Sequence, residues 1–262
     1  MSELVSTGKC AYCNQEFTKA TITKHVSKHI TEKLSTSKPG KSFLLKIEAN
    51  PTWGDLPYFL QIWLDGNTTM DEVDYFLRQI WLECCGHMSA FTNPAKQKKG
   101  AAIWDFFEVE DLLNKGKTKE YEKIMEDSNG EIPLSKKAKD VLMKGLKLLY
   151  DYDFGSTTSL QLTVFAEYAI KADSAIVLLS RNEPLEILCN DCGVRPAVKV
   201  CSVCLCNQQA YFCKDCAKKH GKTCNDFKEY ASMPVVNSPR MGVCAYVGGR
   251  IDKKRDGVFV KK

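Results

Sequence analysis

Two stretches of this 262-residue sequence carry cysteine and histidine at spacings that suit a metal ion. Near the start the order is Cys10-x2-Cys13-x11-His25-x3-His29. Near the end it is Cys189-x2-Cys192-x8-Cys201-x2-Cys204-x8-Cys213-x2-Cys216-x3-His220-x3-Cys224. Zinc takes four nitrogen or sulfur donors at tetrahedral corners. A cysteine pair on a tight turn supplies two donors, and two histidines one helical turn apart present two more from one face. The first stretch is one complete donor set, and the second holds four pairs, enough for two ions. Twelve ligands in sets of four imply about three zinc ions per chain. Such sets leave no position for water, so the expected role is structural.

Cys84, Cys85 and His87 form a third, less ordered group. They could bind a metal or house a nucleophile. They could equally be a buried, unreactive cysteine pair. No phosphate-binding loop, usefully spaced carboxylate pair or Ser/His/Asp set accompanies them. Asp153-Phe154-Gly155 precedes an alternating strand and reads as a turn. No Gly-rich loop or His-Arg-Asp motif makes it a kinase metal site.

Of thirteen cysteines, ten fall in the two ligand stretches, most in C-x-x-C pairs. Residues 1–9 are polar, without the apolar core of a signal peptide, and no run approaches the roughly 20 apolar residues of a membrane span. The expectation is a cytoplasmic protein whose paired cysteines hold metal rather than form disulfides. A net charge of +5 weakly favours a polyanionic partner over an acidic substrate.

The elements that must position these groups read as follows. Residues 1–30 form a small metal-dependent unit with Phe17 and Ile22 as its core. A chain of that size folds only with the binding energy of its ion. Residues 31–41 are polar with Pro39 and Gly40 and read as a linker. Residues 42–184 form the central domain, 185–230 the double metal module and 231–262 a tail. In the central domain, residues 42–49, 58–64, 103–107, 160–164 and 175–179 read as strands. Thr69 and Glu72 form a capping box before a helix with Val73, Phe76, Leu77, Ile80 and Trp81 on one face. A second helix is expected from about Ser135, with Val141, Leu142, Leu146 and Leu149 on one face. Strands and helices do not alternate regularly, so the fold class is α+β, with the central mixed domain flanked by two small metal modules.

The first ligand set resembles the Cys2His2 zinc-finger family, whose usual spacing has about 12 residues between the pairs, where this chain has 11. The resemblance implies that Thr18, Thr21 and Lys24 face a major groove and that Lys19, Lys24 and Lys28 meet phosphates. A single finger reads only about three base pairs, and a finger that caps the domain or binds protein remains the alternative. The second set resembles the B-box type of cross-brace zinc module, in which alternate pairs share an ion. That implies one zinc at Cys189, Cys192, Cys213 and Cys216 and another at Cys201, Cys204, His220 and Cys224, with Cys206 spare or replacing Cys204. Two consecutive ribbons, or one site with spectator cysteines, remain open. Lys214, Lys218, Lys219 and Lys222 add a basic edge.

The run from Phe76 through Trp81, Cys84, Cys85 and His87 to Phe91, followed by Tyr150-Asp151-Tyr152-Asp153-Phe154-Gly155-Ser156, resembles the pRiA4b-type plasmid ORF-3-like family. Its members include transposon passenger proteins. The resemblance covers roughly residues 42–180 and implies an α+β domain, an association with mobile elements and no established reaction. Together these readings point to a non-enzymatic, zinc-stabilised adaptor for nucleic acid or a ribonucleoprotein, with no membrane partner. A protein–protein interaction module and an enzyme with its site in the central domain are the alternatives.

Overall fold

The computed structural model describes residues 6–49, 57–97, 111–207 and 209–260. The elements used below are, in chain order, β1 (Thr7–Lys9), β2 (Glu16–Thr18), α1 (Ile22–Glu32), β3 (Pro39–Ala49), β4 (Phe59–Asp65), α2 (Met70–Leu77), β5 (Ser89–Thr92), β6 (Glu131–Ile132), β7 (Lys147–Tyr152), β8 (Thr158–Ile170), β9 (Ile176–Arg181), β10 (Lys199–Cys201), β11 (Tyr211–Phe212) and β12 (Ser232–Pro234). The fold is α+β. Its centre is a seven-stranded sheet in the order β6-β5-β7-β8-β3-β4-β9, antiparallel at every pairing.

The sequence of β4, Phe-Leu-Gln-Ile-Trp-Leu-Asp, carries large apolar residues on both phases of the two-residue repeat, with Gln61 between Phe59 and Trp63, and both faces of the strand are buried. Phe59 and Trp63 join Leu44 of β3 and Leu179 of β9 on one face, where they pack against Ile22, Val26 and Ile30 of α1. Leu60, Ile62 and Leu64 join Phe43, Leu45 and Ile47 on the other face, beneath Val73 and Leu77 of α2. Thr69 caps α2 through the reciprocal box with Glu72. The chain then loosens into a π-turn over Arg78–Leu82, which still buries Ile80 and Trp81. A small sheet, β11-β10-β12, and the helix Lys214–Thr223 build the C-terminal module.

Three expectations about organisation change. The helix expected from Ser135 is a single turn, Ala138–Val141, and the chain then enters β7. Gly145 sits at φ +87, which ends any helix there, and Leu148, Tyr150 and Tyr152 are buried at a period of two. The segment 31–41 is no free linker: it holds the end of α1, a turn and the first residues of β3. The segment 231–262 is no loose tail. It supplies β12 and buries Val235, Val236, Met241 and Tyr246 in the main core. The strand expected at residues 103–107 lies outside the described residues.

The C-terminal segment from residue 231 onward is held by unmet hydrogen-bonding capacity. The π-turn after α2 ends with carbonyls that no helical amide reaches. Ser238 Oγ donates to the carbonyl of Trp81 at 2.6 Å, and the amide of Arg250 donates to that of Gln79 at 2.7 Å. Gly249 passes so close that a Cβ there would lie 2.4 Å from the carbonyl oxygen of Ile80. Two fully buried arginines complete the docking. Arg181 donates to the Asn237 carbonyl and, at 2.7 Å, to Asp256. Arg240 donates to the Ser156 carbonyl at 2.7 Å and pairs with Asp153.

Candidate metal centres

The hairpin β1–β2 brings Cys10 and Cys13 onto its turn, and Asn14 takes the left-handed conformation (φ 59) that lets the chain reverse. α1 aims His25 and His29 at the same point. Cys13 Sγ and His25 Nε2 lie 3.2 Å apart, as do the two histidine Nε2 atoms. Nδ1 of His29 faces Glu32 at 3.4 Å, which leaves Nε2 turned to the cluster. Phe17 stacks on the His25 ring at 3.9 Å between centroids. Burial first, then the neighbouring His29 and Lys28, holds His25 below the usual imidazole range, the neutral form that ligates.

In the C-terminal module, Cys189 and Cys192 group with Cys213 and Cys216 rather than with Cys201 and Cys204. Cys201 and Cys204 group with His220 and Cys224. The pairing is therefore the alternate one. Cys192 Sγ lies 4.0 Å from Cys213 Sγ, and Cys204 Sγ lies 3.7 Å from His220 Nε2. With metal–sulfur bonds of about 2.3 Å, a tetrahedron has sulfur–sulfur edges of about 3.8 Å. The amides of Arg195 and Val194 draw the Cys192 thiol down to about 6. Burial and the adjacent Cys213 and Cys189 push Cys216 up to about 12. A cation placed among these sulfurs would relieve that mutual repulsion. His220 is clamped by Phe212 and Phe227, at 4.1 and 4.9 Å between ring centroids. The side chain of Cys206 lies outside the described residues.

In each group all donor atoms lie within 4.8 Å of one another, so each could hold a metal ion. The described residues contain a fourth such group, Cys84, Cys85, His87 and Cys244. Sequence spacing isolates the first three of these, but Cys244 sits in no C-x-x-C pair and follows His87 by 157 positions.

Thr18 ends β2, Thr21 stands just before the first residue of α1, and Lys24 and Lys28 lie along the same helix. All four are exposed on the side away from Ile22, Val26 and Ile30. Lys19 instead pairs with Glu48 of β3 at 2.9 Å. The N-terminal unit is docked: the amide of Ala11 donates to the Leu179 carbonyl, and Gly8 bridges to Asn182 beside the sheet edge. A Cβ at Gly8 would sit 2.8 Å from the Arg181 carbonyl oxygen and the Phe59 ring.

No family model and no curated protein matches the chain. Among solved structures it is similar to a protein of unknown function from Methanosarcina mazei Go1, at 14% identity over 53% of this chain and 67% of that one, with a TM-score of 0.34. A likeness that low carries no argument. No described helix is long and apolar enough to cross a membrane.

Proposed function

We propose that this chain is a non-catalytic, zinc-stabilised adaptor that binds nucleic acid or a ribonucleoprotein. The observation that carries the reading is the closure of the metal centres. The finger and both sites of the C-terminal module offer four protein donors each, all cysteine or histidine. A soft, tetrahedral S/N set suits zinc, and a set with no open position leaves the ion a structural role. The adaptor surface would then be what these centres hold rigid. Lys24 and Lys28 project from α1, and Lys214, Lys218, Lys219 and Lys222 from the helix Lys214–Thr223, all exposed. Lysines on fixed helices neutralise phosphates and release counterions. The first edge lies on the helix that covers one face of the sheet and the second on a helix packed in the separate C-terminal cluster, so each would be a contact of its own.

We further propose that the central domain belongs to the pRiA4b-type plasmid ORF-3-like family. The Tyr-x-Tyr-Asp-Phe-Gly run supports this by forming a defined turn after β7. Asp153 is left-handed at φ 64, and its carboxylate accepts from the amides of Gly155 and Ser156.

The test is binding to duplex DNA and structured RNA across a salt series. The logarithm of the binding constant should fall with the logarithm of salt by about 0.9 per phosphate contacted. Replacing Lys24 and Lys28 by glutamate should weaken binding and lower the slope by about 1 per lysine. A slope near zero, or unchanged binding in that variant, defeats the reading for the finger. The second reading is a protein-binding module. It is favoured by apolar side chains exposed around the C-terminal module, Val194 at 79% and Tyr230 at 68%. A nuclease-insensitive pull-down of one defined protein would select it.

A further inference from the structure

We propose that Cys84, Cys85, His87 and Cys244 bind a fourth zinc-type divalent cation, and that this ion clasps the C-terminal segment to the central domain. The inference rests on no part of the adaptor reading. The donors are three thiols and one imidazole, the same class as in the other centres. Their separations fit the same cage. Cys85 Sγ lies 3.8 Å from Cys244 Sγ, the length of a tetrahedral sulfur–sulfur edge, and His87 Nε2 lies 3.2 Å from Cys244 Sγ.

The histidine is oriented as a ligand is. Its Nδ1 faces Asp153 Oδ1 at 3.7 Å while Nε2 faces the cysteines. His29 has the same arrangement, with Glu32 behind it. A carboxylate behind a ligating imidazole fixes ring orientation and tautomer. Asp153 is itself fixed by Arg240, four positions before Cys244.

The backbone on both sides is shaped for convergence. Gly86, the residue after Cys85, is left-handed at φ 75, as are Asn14 after Cys13 and Gly193 after Cys192. The turn is pinned where Glu83 Oε1 accepts from the Gly86 amide at 2.6 Å. Across from it, Cys244 and Ala245 are consecutive left-handed residues that are not glycine, at φ 47 and 55. Two such residues in a row are unfavourable for L-amino acids and persist only where something over-determines them. A bond from Cys244 Sγ to an ion held by the three other donors would do so. A cavity of about 510 Å³, lined in part by Glu83, Cys84, Ala245 and Arg250, lies beside Cys84.

The physical consequence is a cross-link between residues 84–87 and 244. Ion binding there would close a long loop without a disulfide, in a chain whose other described cysteines are also free of disulfides.

The experiment is metal analysis of the full chain, prepared under reducing conditions, loaded with zinc and dialysed. Four ions per chain are expected. Cys244→Ser and His87→Ala should each lose one ion and keep three. A wild-type count of three, or four retained in both variants, overturns the proposal and leaves the adaptor reading standing. Because a variant could misfold, alkylation of the wild-type chain gives a second readout. Cys85 is solvent-exposed, so a free thiol there would react quickly, whereas a ligand is protected until a chelator is added. Rapid alkylation without chelator, or a Cys85–Cys244 disulfide found by mass spectrometry, also overturns it.

Discussion

Ile30 is fully buried where α1 meets the sheet, in one cluster with Leu44, Trp63 and Leu179. Ile30→Ala removes three carbons from a site with rigid strands on one side. Such truncations cost about 2–5 kcal/mol through lost transfer energy and the cavity left behind. At about 3 kcal/mol, and about 2–4 °C per kcal/mol for a chain of this size, the melting temperature should fall by about 6–12 °C. Removing residues 1–30 altogether is more severe. It uncovers Leu44, Phe59, Trp63 and Leu179, each 0% exposed in the intact chain. At about 1.5–3 kcal/mol per side chain the loss is about 6–12 kcal/mol, the size of a typical domain's whole stability. The truncated chain should therefore unfold or aggregate near room temperature, and the Trp63 emission should shift to the red. Scanning calorimetry of the zinc-loaded full chain, the Ile30→Ala variant and the truncated chain measures this. If residues 31–262 melt within about 2 °C of the full chain, the finger is an independent unit and the packing argument fails.

Other outcomes follow from the same geometry. Cys213→Ala should weaken metal at Cys189 and Cys192 while the site of Cys201 and His220 keeps its ion, read by cobalt spectra; release of His220 instead would restore the ribbon pairing. Arg240→Ala should destabilise by about 3–5 kcal/mol in chemical denaturation, because Asp153 is then left buried without its partner, and a loss under about 1 kcal/mol would contradict that. Burial alone would raise Glu48, but the ammonium groups of Lys46 and Lys19 outweigh it and hold its carboxyl below the usual range. Its contribution is thus present above the unfolded-state value and lost as pH falls through the folded one. Glu48→Gln should flatten the stability curve between about pH 5 and 3, and an unchanged acid limb would count against the pairing of finger to sheet.

What the sequence made legible was whatever is short-ranged. The finger and module ligands recur at spacings fixed by knuckles and helical turns, and the capping box at Thr69 and Glu72 is a local contract between neighbours. Long-range packing was not legible. The polar run 31–41 reads as a linker because nothing in it reveals that Ile22, Val26 and Ile30 have a sheet to cover. The segment 135–149 places its apolar residues so that a helical and a strand period both fit, and only Gly145 and pairing to β8 decide for β7. Cys244 and Arg240 carry no motif, so their roles emerge only when the last segment folds back over the π-turn. A usable signal did exist: an unpaired cysteine in a chain where nearly all others are paired invites a search for its missing partners.

β4, covered on both faces, also sets an order of events during synthesis. Its first face is closed by residues 22–30, which leave the ribosome before it does, whereas its second face meets α2 at once but is completed only by residues 197–246. Contacts that distant form slowly, since the chain between them must first be brought together. Until then Leu60 and its neighbours are a partly uncovered apolar surface on a nascent chain.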